Sequence, residues 1–240
     1  MKLDYLIVIP ARYKSSRFEG KPLVDINGKS MIERVWEKCT KTSPKKNIIV
    51  ATDDKRIFKH CNTKKINVLM TSRKCLTGSD RVAEVAKKIE AKFYVNVQGD
   101  EPLVNPKDIL KVIKDFKKNQ ITNCAVTTIK DKNELFNLNI PKIASAENDL
   151  ILYISRANIP SNKESIPKKL KKQVCIYCFS KDALNLFGIN SKKTYLEKIE
   201  DIELLRVLEN GIPVRAIDVK SDSIAVDTPE DLIRVRKICK

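Results

Sequence analysis

Residues 47–70, NIIVATDDKRIFKHCNTKKINVLM, contain the pattern that is most diagnostic of the architecture. Two apolar runs rich in branched residues, 47–51 and 66–70, flank a short polar segment with helical spacing at 55–60. Short apolar runs are typical of buried strands, and a helix between two of them lets the strands run parallel. The stretch therefore predicts a strand–helix–strand unit of a parallel sheet.

The same alternation continues on both sides of this unit. Further strands are predicted at 6–9 and 93–97, and helices after the cap residue Ser30, at 80–90 and at 106–118. Strands that alternate with helices form a sheet with helices packed on both of its faces. We therefore expect an α/β fold with a Rossmann-like, mostly parallel sheet flanked by helices.

After residue 119 the elements become shorter and the alternation less regular. The predicted elements are strands at 122–129, 140–146, 151–155 and 173–179, a long helix at 194–210, a strand at 213–218 and a closing helix from Pro229. We interpret residues 1–240 as one domain in which residues of about 120–180 form a small antiparallel extension.

The chain is strongly basic, with 47 Lys and Arg residues against 30 Asp and Glu residues and a formal net charge of +17. Such an excess attracts polyanions, which include nucleic acids, nucleotides, acidic sugars and membrane surfaces. A solvated, lysine-rich surface explains much of the charge equally well. No recognised nucleic-acid-binding module is visible, and no apolar run approaches the ~18 residues of a membrane span. We expect no nucleic-acid partner and no membrane insertion.

The cysteines indicate a reducing compartment. Seven of them are scattered through a chain in which we find no secretory signal: Cys39, Cys61, Cys75, Cys124, Cys175, Cys178 and Cys239. An odd, scattered set of this kind indicates reduced thiols and a cytoplasmic protein. Cys175 and Cys178 form a CxxC pattern within a predicted strand, where residues three apart point to opposite faces. We therefore expect neither a zinc site nor a redox pair there.

A basic loop follows the first strand, at the edge of the sheet where ligands bind in open α/β folds. Residues 10–23, PARYKSSRFEGKPL, combine four cations with small residues that let backbone amides approach an anion. The loop is not a P-loop, because Ser15 stands where the first glycine belongs and Pro22 replaces the hydroxyl residue. It is either a phosphate-binding loop or an ordinary basic surface loop.

Two aspartates outside the helices are candidate metal ligands. Asp100 lies in NVQGDEP (96–102) and Asp227 in VDTPED (226–231). Carboxylates at such positions can hold a divalent metal beside a phosphate, although each alone could serve only as a cap. Residues 77–80, TGSD, offer hydroxyls and a helix N-terminus that suit a phosphate or a base edge, or a plain cap. Together these motifs point to metal-assisted nucleotide chemistry.

These stretches resemble, in order along the chain, the pattern of the 3-deoxy-manno-octulosonate (Kdo) cytidylyltransferases. The matching stretches are IPARYKSSRFEGKPL, ATDD, TSRKCLTGSDR, NVQGDEP, YISRANIP, IYCF, IELLRVLENG and AVDTPEDL. The resemblance implies the fold of nucleotide-diphospho-sugar transferases, Mg²⁺ as cofactor and a homodimer formed with the antiparallel extension. The implied reaction transfers CMP from CTP to the anomeric hydroxyl of Kdo, releases pyrophosphate and serves lipopolysaccharide biosynthesis.

The resemblance also implies site residues, position by position. The implied catalytic residues are Arg12, Lys21, Asp100 and Asp227, and the two aspartates are the implied Mg²⁺ ligands. Nucleotide binding is implied for Pro10, Ala11, Arg12, Ser16, Arg17, Lys21, Arg73, Thr77, Gly78, Ser79 and Gln98. Sugar-acid binding is implied for Gln98, Arg156, Gln173, Tyr177, Glu203 and Leu204.

The departures from the family pattern concern mainly the implied sugar pocket. The pattern usually has His at Gln173 and at Cys75, and Gln at Leu204. Two alternatives to Kdo transfer stay open: a synthetase for another sugar acid, such as an 8-amino Kdo relative or a nonulosonate, and a non-catalytic nucleotide-binding protein. We predict weaker Kdo binding than is usual in the family. Leu204→Gln combined with Gln173→His is then expected to raise kcat/KM for Kdo roughly tenfold.

Overall fold

The computed structural model describes residues 3–14, 18–161, 163 and 170–239. Its strands are β1 (Leu3–Ala11), β2 (Asp25–Ile26), β3 (Lys29–Ser30), β4 (Ile48–Thr52), β5 (Val68–Met70), β6 (Ala91–Val97), β7 (Asn123–Thr128), β8 (Lys142–Ser145), β9 (Ile151–Ser155), β10 (Lys171–Phe179) and β11 (Arg215–Asp218). Its α-helices are α1 (Met31–Thr40), α2 (Lys55–Thr63), α3 (Gly78–Ala86), α4 (Pro106–Asn119), α5 (Lys132–Phe136), α6 (Lys181–Asn185), α7 (Tyr195–Glu200), α8 (Leu204–Glu209) and α9 (Pro229–Ile238). Single 3₁₀ turns lie at Lys21–Leu23 and Lys45–Asn47.

Most strands belong to one mixed sheet in the order β11–β7–β10–β6–β1–β4–β5. β1 pairs in parallel with β4 and β6, β4 with β5, and β11 with β7. β10 is antiparallel to both β6 and β7, and a β8–β9 hairpin extends the sheet beside β10. The predicted α/β fold is confirmed, and β7 and β10 lie within the main sheet with the β8–β9 hairpin beside β10.

The sheet is buried on both faces, as β1 shows. Leu6 and Val8 lie in one apolar cluster with side chains of α3, α6 and α8. Ile7 and Ile9 lie in a second cluster with side chains of α1, α2 and α4. Because successive strand residues point to opposite faces, this run of four apolar residues contributes to both cores.

The predicted long helix at 194–210 is wrong in its extent, because the chain breaks it into α7 and α8. Asp201 follows α7 with a φ of 50°, and Glu203 immediately precedes α8. Asp tolerates this left-handed conformation better than most residues, and the break carries no Gly or Pro that could signal it. The break at Asp201 separates the two helices and places Glu203 at the start of α8.

All seven cysteines are free thiols. Cys175 and Cys178 pack on opposite sides of the sheet, as predicted, and burial raises the pKa of both thiols well above its usual value. Within the described parts of the chain, no helix has the length and apolar character that a membrane crossing requires.

Candidate active site

A cleft opens at the edge of the sheet where the parallel strands β1 and β6 end. Ligands bind at this edge in open α/β sheets, because the loops that leave the strands converge there. The implied site residues that line the cleft are Pro10, Ala11, Arg12, Lys21, Thr77, Gly78, Gln98, Asp100, Arg156, Gln173, Tyr177, Glu203 and Asp227. The fold thus brings together residues from motifs spread along the whole chain.

Lys21 joins the two implied metal ligands. Its Nζ lies 2.7 Å from Asp100 Oδ2 and 3.1 Å from Asp227 Oδ1, and it also donates to the carbonyl of Val226. Burial would lower the pKa of Lys21, but the negative charges of both carboxylates outweigh it and the pKa is raised. The two aspartates therefore converge on a single cation.

Backbone contacts hold the loops of this site together. The N–H of Val226 donates to the carbonyl of Asp100 over 2.9 Å, which ties the loop before α9 to the loop after β6. A Cβ built on Gly99 would lie 2.6 Å from the carbonyl oxygen of Pro10. Only glycine allows the loop after β6 to lie this close to the end of β1.

Neither aspartate caps the helix that follows it. Thr228 is the N-cap of α9, and Asn105 is the N-cap of α4. The alternative that Asp100 or Asp227 serves only as a helix cap is therefore excluded. Among the described residues no cluster of three or more His, Cys, Asp or Glu side chains could hold a metal. The aspartate pair alone would need further ligands from a substrate.

Glu203 links the start of α3 to the loop after β6 on one wall of the cleft. Its Oε2 accepts from the N–H of Ser79, and its Oε1 accepts from Nε2 of Gln98, both over 2.9 Å. Burial raises the pKa of Glu203, partly opposed by the hydrogen bond from Ser79. The carboxylate is thus committed to holding the start of α3 against the residue that follows β6.

The start of α3 is a tight turn that faces the cleft. Thr77 is the N-cap of α3, and it forms a reciprocal capping box with Asp80. A Cβ built on Gly78 would lie 2.8 Å from Nε2 of Gln98. A side chain at position 78 would therefore push the amide of Gln98 away from its hydrogen bond with Glu203.

The opposite wall of the cleft is polar. Nε2 of Gln173 donates to the hydroxyl of Tyr177 over 2.8 Å, and both residues belong to β10. Burial raises the pKa of Tyr177 well above its usual value. The phenol is therefore a neutral group that can donate a hydrogen bond.

Arg156 forms part of the same wall. Its guanidinium donates to the backbone carbonyls of Glu200, Leu138 and Asp201. These acceptors are neutral, so they orient the guanidinium without neutralising its charge. The break between α7 and α8 supplies two of the three carbonyls.

Five of the implied site residues do not line the cleft or lie outside the described chain: Ser16, Arg17, Arg73, Ser79 and Leu204. Ser16 and Arg17 lie outside the described residues. Arg73 is exposed and does not line the cleft. The hydroxyl of Ser79 is buried without a hydrogen-bond partner among the described residues, and only its backbone N–H contacts another site residue, Glu203.

The structure corrects the implied role of Leu204. Its side chain is 0% exposed and packs in the apolar cluster that also contains Leu205 and Val207. The residue before it, Glu203, lines the cleft, and the first turn of α8 then carries Leu204 into the core. Leu204 therefore cannot contact a sugar in this conformation, and its exchange for Gln is not expected to improve Kdo binding.

Sequence reasoning missed Arg81, which lines the cleft although it is almost fully buried. Its guanidinium donates to Oγ1 of Thr71 over 2.8 Å and lies 2.9 Å from Oδ2 of Asp53. Helical spacing places Arg81 on α3 but gives no sign that its side chain reaches the ends of β4 and β5. Asn139 and Asp201 also line the cleft without having been predicted.

Proteins of known family resemble this chain over most of its length. A family model described as cytidylyltransferase matches residues 6–221. A 3-deoxy-manno-octulosonate cytidylyltransferase of Geotalea uraniireducens (strain Rf4) is 39% identical over 241 residues, covering 95% of this chain and 96% of that protein. The chain belongs to the 3-deoxy-manno-octulosonate cytidylyltransferase family. The mitochondrial 3-deoxy-manno-octulosonate cytidylyltransferase of Arabidopsis thaliana is 38% identical over 242 residues, covering 97% of this chain and 82% of that protein.

Solved structures show the same relationship. CMP:2-keto-3-deoxy-manno-octonic acid synthetase, solved in complex with CTP, superposes with a TM-score of 0.89 and 33% identity over 98% of both chains. The inositol-1-phosphate CTP transferase from T. maritima has a TM-score of 0.67 at 13% identity, covering 99% of this chain and 96% of that one. The first match confirms the resemblance found in the motifs, and the second shows only a shared fold.

Proposed function

We propose that the protein transfers CMP from CTP to the anomeric hydroxyl of Kdo and releases pyrophosphate. The observation that carries the proposal is the convergence of Asp100, Asp227 and Lys21 at one point of the cleft. CTP carries about four negative charges, and the sugar acid carries one more, so their encounter requires cations. The net charge of +17 favours that encounter at long range.

The nucleotide side of the cleft suits a pyrimidine base and a triphosphate. The turn at 77–79 offers a helix N-terminus close to Gln98, and the end of β1 offers backbone beside it. Arg12 and Lys21 provide positive charge for the phosphates. Arg12 and Lys21 would then offset the negative charge that grows on the departing pyrophosphate.

We include Mg²⁺ in the proposal because the donor set fits it. Asp100 and Asp227 already share one cation, the ammonium of Lys21. Mg²⁺ is usually held by one or two carboxylates together with substrate phosphates, so two aspartates suffice. When bound, the ion would supply Lewis-acid activation of the α-phosphate and the attacking hydroxyl. The two aspartates would hold it, and Lys21 would be released toward the phosphates.

The sugar side of the cleft suits an acidic, hydroxyl-rich substrate. Arg156 supplies a charge that its carbonyl partners orient but do not neutralise. Gln173 and Tyr177 supply neutral hydrogen-bonding groups next to each other. Such a wall can bind the carboxylate through Arg156 and sugar hydroxyls through the amide and the phenol.

A homodimer is part of the same proposal. Large apolar side chains are exposed on the β8–β9 hairpin, on the loop before it and on α7: Leu138, Leu152, Tyr195 and Ile199. The two regions are neighbours, because Ser155 at the end of β9 donates to Glu200 at the end of α7. Exposed apolar groups that cluster in this way mark interaction surfaces, and a second copy of this chain is the proposed occupant.

The proposal also covers location and pathway. The free thiols support a cytoplasmic protein, and CMP-Kdo would serve as an activated donor for lipopolysaccharide biosynthesis.

Pyrophosphate release with each of the four nucleoside triphosphates and a panel of sugar acids tests the proposal. We expect release with CTP and Kdo, and much less with ATP or GTP, because a site that reads a base edge leaves its polar groups unpaired with the wrong base. Equal release from all four nucleotides would contradict cytidine recognition. A preference for 8-amino Kdo or a nonulosonate would retain the reaction and change the sugar.

A further inference from the structure

A buried ionic cluster lies behind the nucleotide wall of the cleft, and the proposed chemistry does not use it. Arg206 on α8 is 1% exposed, and its Nε and Nη2 each lie 2.7 Å from an oxygen of Glu197. Its Nη1 lies 2.9 Å from Oδ1 of Asp80, which is also fully buried. None of these three side chains lines the cleft.

Asp80 connects this cluster to the cleft, because its two oxygens face different groups. Oδ1 accepts from Arg206, from the N–H of Gly188 and from the hydroxyl of Ser191, each over 2.9 Å. Oδ2 accepts from the N–H of Thr77 over 2.8 Å and from its hydroxyl over 2.9 Å. Thr77 in turn lines the cleft.

Helix α8 contacts the same turn at a second point. Glu203 lies one helical turn before Arg206, so the two residues are on one side of the chain at the start of α8. Glu203 accepts from the N–H of Ser79, and Arg206 binds the carboxylate of Asp80. Two consecutive residues of α3 are thus held by Arg206 of α8 and by Glu203, which immediately precedes α8.

We propose that Arg206 and Asp80 are positioning residues that hold the turn at 77–79 in the shape that binds the nucleotide. The inference rests on the proposed function, because it requires CTP to bind against this turn. A plain N-cap of α3 needs only the contact between Asp80 and Thr77. The guanidinium and the further donors on Oδ1 instead fix the carboxylate from behind. Nucleotide affinity should therefore depend on a side chain that never touches the nucleotide.

The test compares Arg206→Lys, Arg206→Met and Asp80→Asn with the unmodified protein. We expect the Kd of CTP, measured by calorimetry, and the KM for CTP to rise about tenfold in Arg206→Met and Asp80→Asn. The KM for Kdo and kcat should change far less. Arg206→Lys should recover part of the affinity, because it keeps a buried cation beside Asp80.

Glu197→Gln is the matched control, because Glu197 is equally buried and contacts Arg206 through other nitrogens than Asp80 does. The Glu197→Gln variant should have a lower melting temperature but an unchanged Kd of CTP. If Arg206→Met or Asp80→Asn does not fold, Ser191→Ala removes one donor from Oδ1 at a partly exposed site and should weaken CTP about threefold.

The inference is overturned if the Kd of CTP stays unchanged in these variants. It is also overturned if Glu197→Gln raises the Kd of CTP equally, or if the KM values for CTP and Kdo rise together. Failure of the proposed function would look different. The unmodified protein would then release no pyrophosphate from CTP and Kdo, whatever the variants do.

Discussion

At the scale of single residues, Lys21 determines the electrostatics of the site. Its ammonium lies between Asp100 and Asp227 and offsets the repulsion between two carboxylates that share one cation. Each carboxylate lies within hydrogen-bonding distance of the ammonium, so positive and negative charge meet at one point of the cleft.

Removing one carboxylate tests this arrangement. Asp100→Asn and Asp227→Asn should each lower kcat by about a hundredfold or more while the melting temperature changes little, because both side chains lie at the cleft and outside the core. Asp222→Asn is the control, since Asp222 is 78% exposed and pairs only with Lys130 among its described contacts. Near-normal turnover in either cleft variant would assign that aspartate to structure alone.

Leu204→Gln tests the corrected position of Leu204. An amide placed in a closed apolar cluster loses its hydrogen bonds to water, so the free energy of unfolding should fall by about 3 kcal/mol. Ile233→Gln on α9, at a site that is 53% exposed and outside the proposed dimer surface, should change the free energy of unfolding by no more than about 0.5 kcal/mol. Urea unfolding measures both values. A stable Leu204→Gln variant with tighter Kdo binding would restore the original prediction.

The sequence predicted these residues unevenly. Asp100 and Asp227 could be predicted because Asp100 directly follows Gly99 at the end of a predicted strand, and Asp227 lies two residues before the proline that begins the closing helix. Leu204 was misassigned because its neighbour Glu203 lines the cleft, and alignment by motif cannot tell which side of a helix start a residue faces. Arg81 and Arg206 were missed because a buried cation is visible only once its carboxylate partners are in place.

At the scale of elements, side-chain caps stabilise the starts of several helices. Ser30 caps α1 and forms a reciprocal capping box with Glu33. Thr77 and Thr228 form the same motif at α3 and α9, each with an aspartate three residues later. Caps of this kind are readable from sequence, and the order of the helices and of the main-sheet strands in the first half was predicted correctly, whereas the short β2–β3 hairpin was not predicted. The break at Asp201 was not predicted, because tertiary contacts of Glu203 and Arg156 hold the chain in this conformation.

The capping box of α1 predicts a pH dependence of stability. Burial would raise the pKa of Glu33, but the N–H of Ser30 and the ammonium of Lys64 outweigh it and lower the pKa from 4.5 to about 2. A carboxylate with a lowered pKa stabilises the fold above its unfolded pKa, and the contribution is lost as the pH falls through 4.5 toward 2. The loss should amount to at most about 3 kcal/mol.

Urea unfolding of Glu33→Gln at several pH values measures this contribution. The variant should be less stable than the unmodified protein at pH 6, and the difference should shrink as the pH approaches 2. Glu37→Gln, on an exposed part of the same helix, should show little difference at any pH. A difference that does not vary with pH would mean that Glu33 acts through shape and not through charge.

At the scale of the whole molecule, one continuous sheet carries both halves of the cleft. The nucleotide wall comes from β1, β6 and α3, and the opposite wall from β10 and the loops near β8 and β9. The sequence predicted the α/β architecture and an antiparallel addition, but not that β7 and β10 enter the main sheet. Strand pairing depends on contacts between distant segments, which the pattern within each segment does not specify.

The exposed apolar surface predicts the assembly of the molecule. Ile199→Glu or Leu152→Glu should convert a dimer into monomers, because each places a charge in the surface formed by the β8–β9 hairpin and α7. Leu110→Glu on α4, at a site of 44% exposure elsewhere on the molecule, should leave the dimer intact. Sedimentation equilibrium measures the molecular mass of the unmodified protein and of each variant in solution. A monomeric unmodified protein would contradict the prediction.

The transfer of labelled phosphorus tests the central claim most directly. The protein is incubated with Kdo and CTP that carries ³²P in the α-phosphate, and the products are separated. Attack of the anomeric hydroxyl on the α-phosphate predicts that all of the label enters a sugar nucleotide and that pyrophosphate is formed unlabelled in equal amount. Label that stays in CTP, or that appears as free CMP without a sugar nucleotide, would contradict a cytidylyltransferase acting on Kdo.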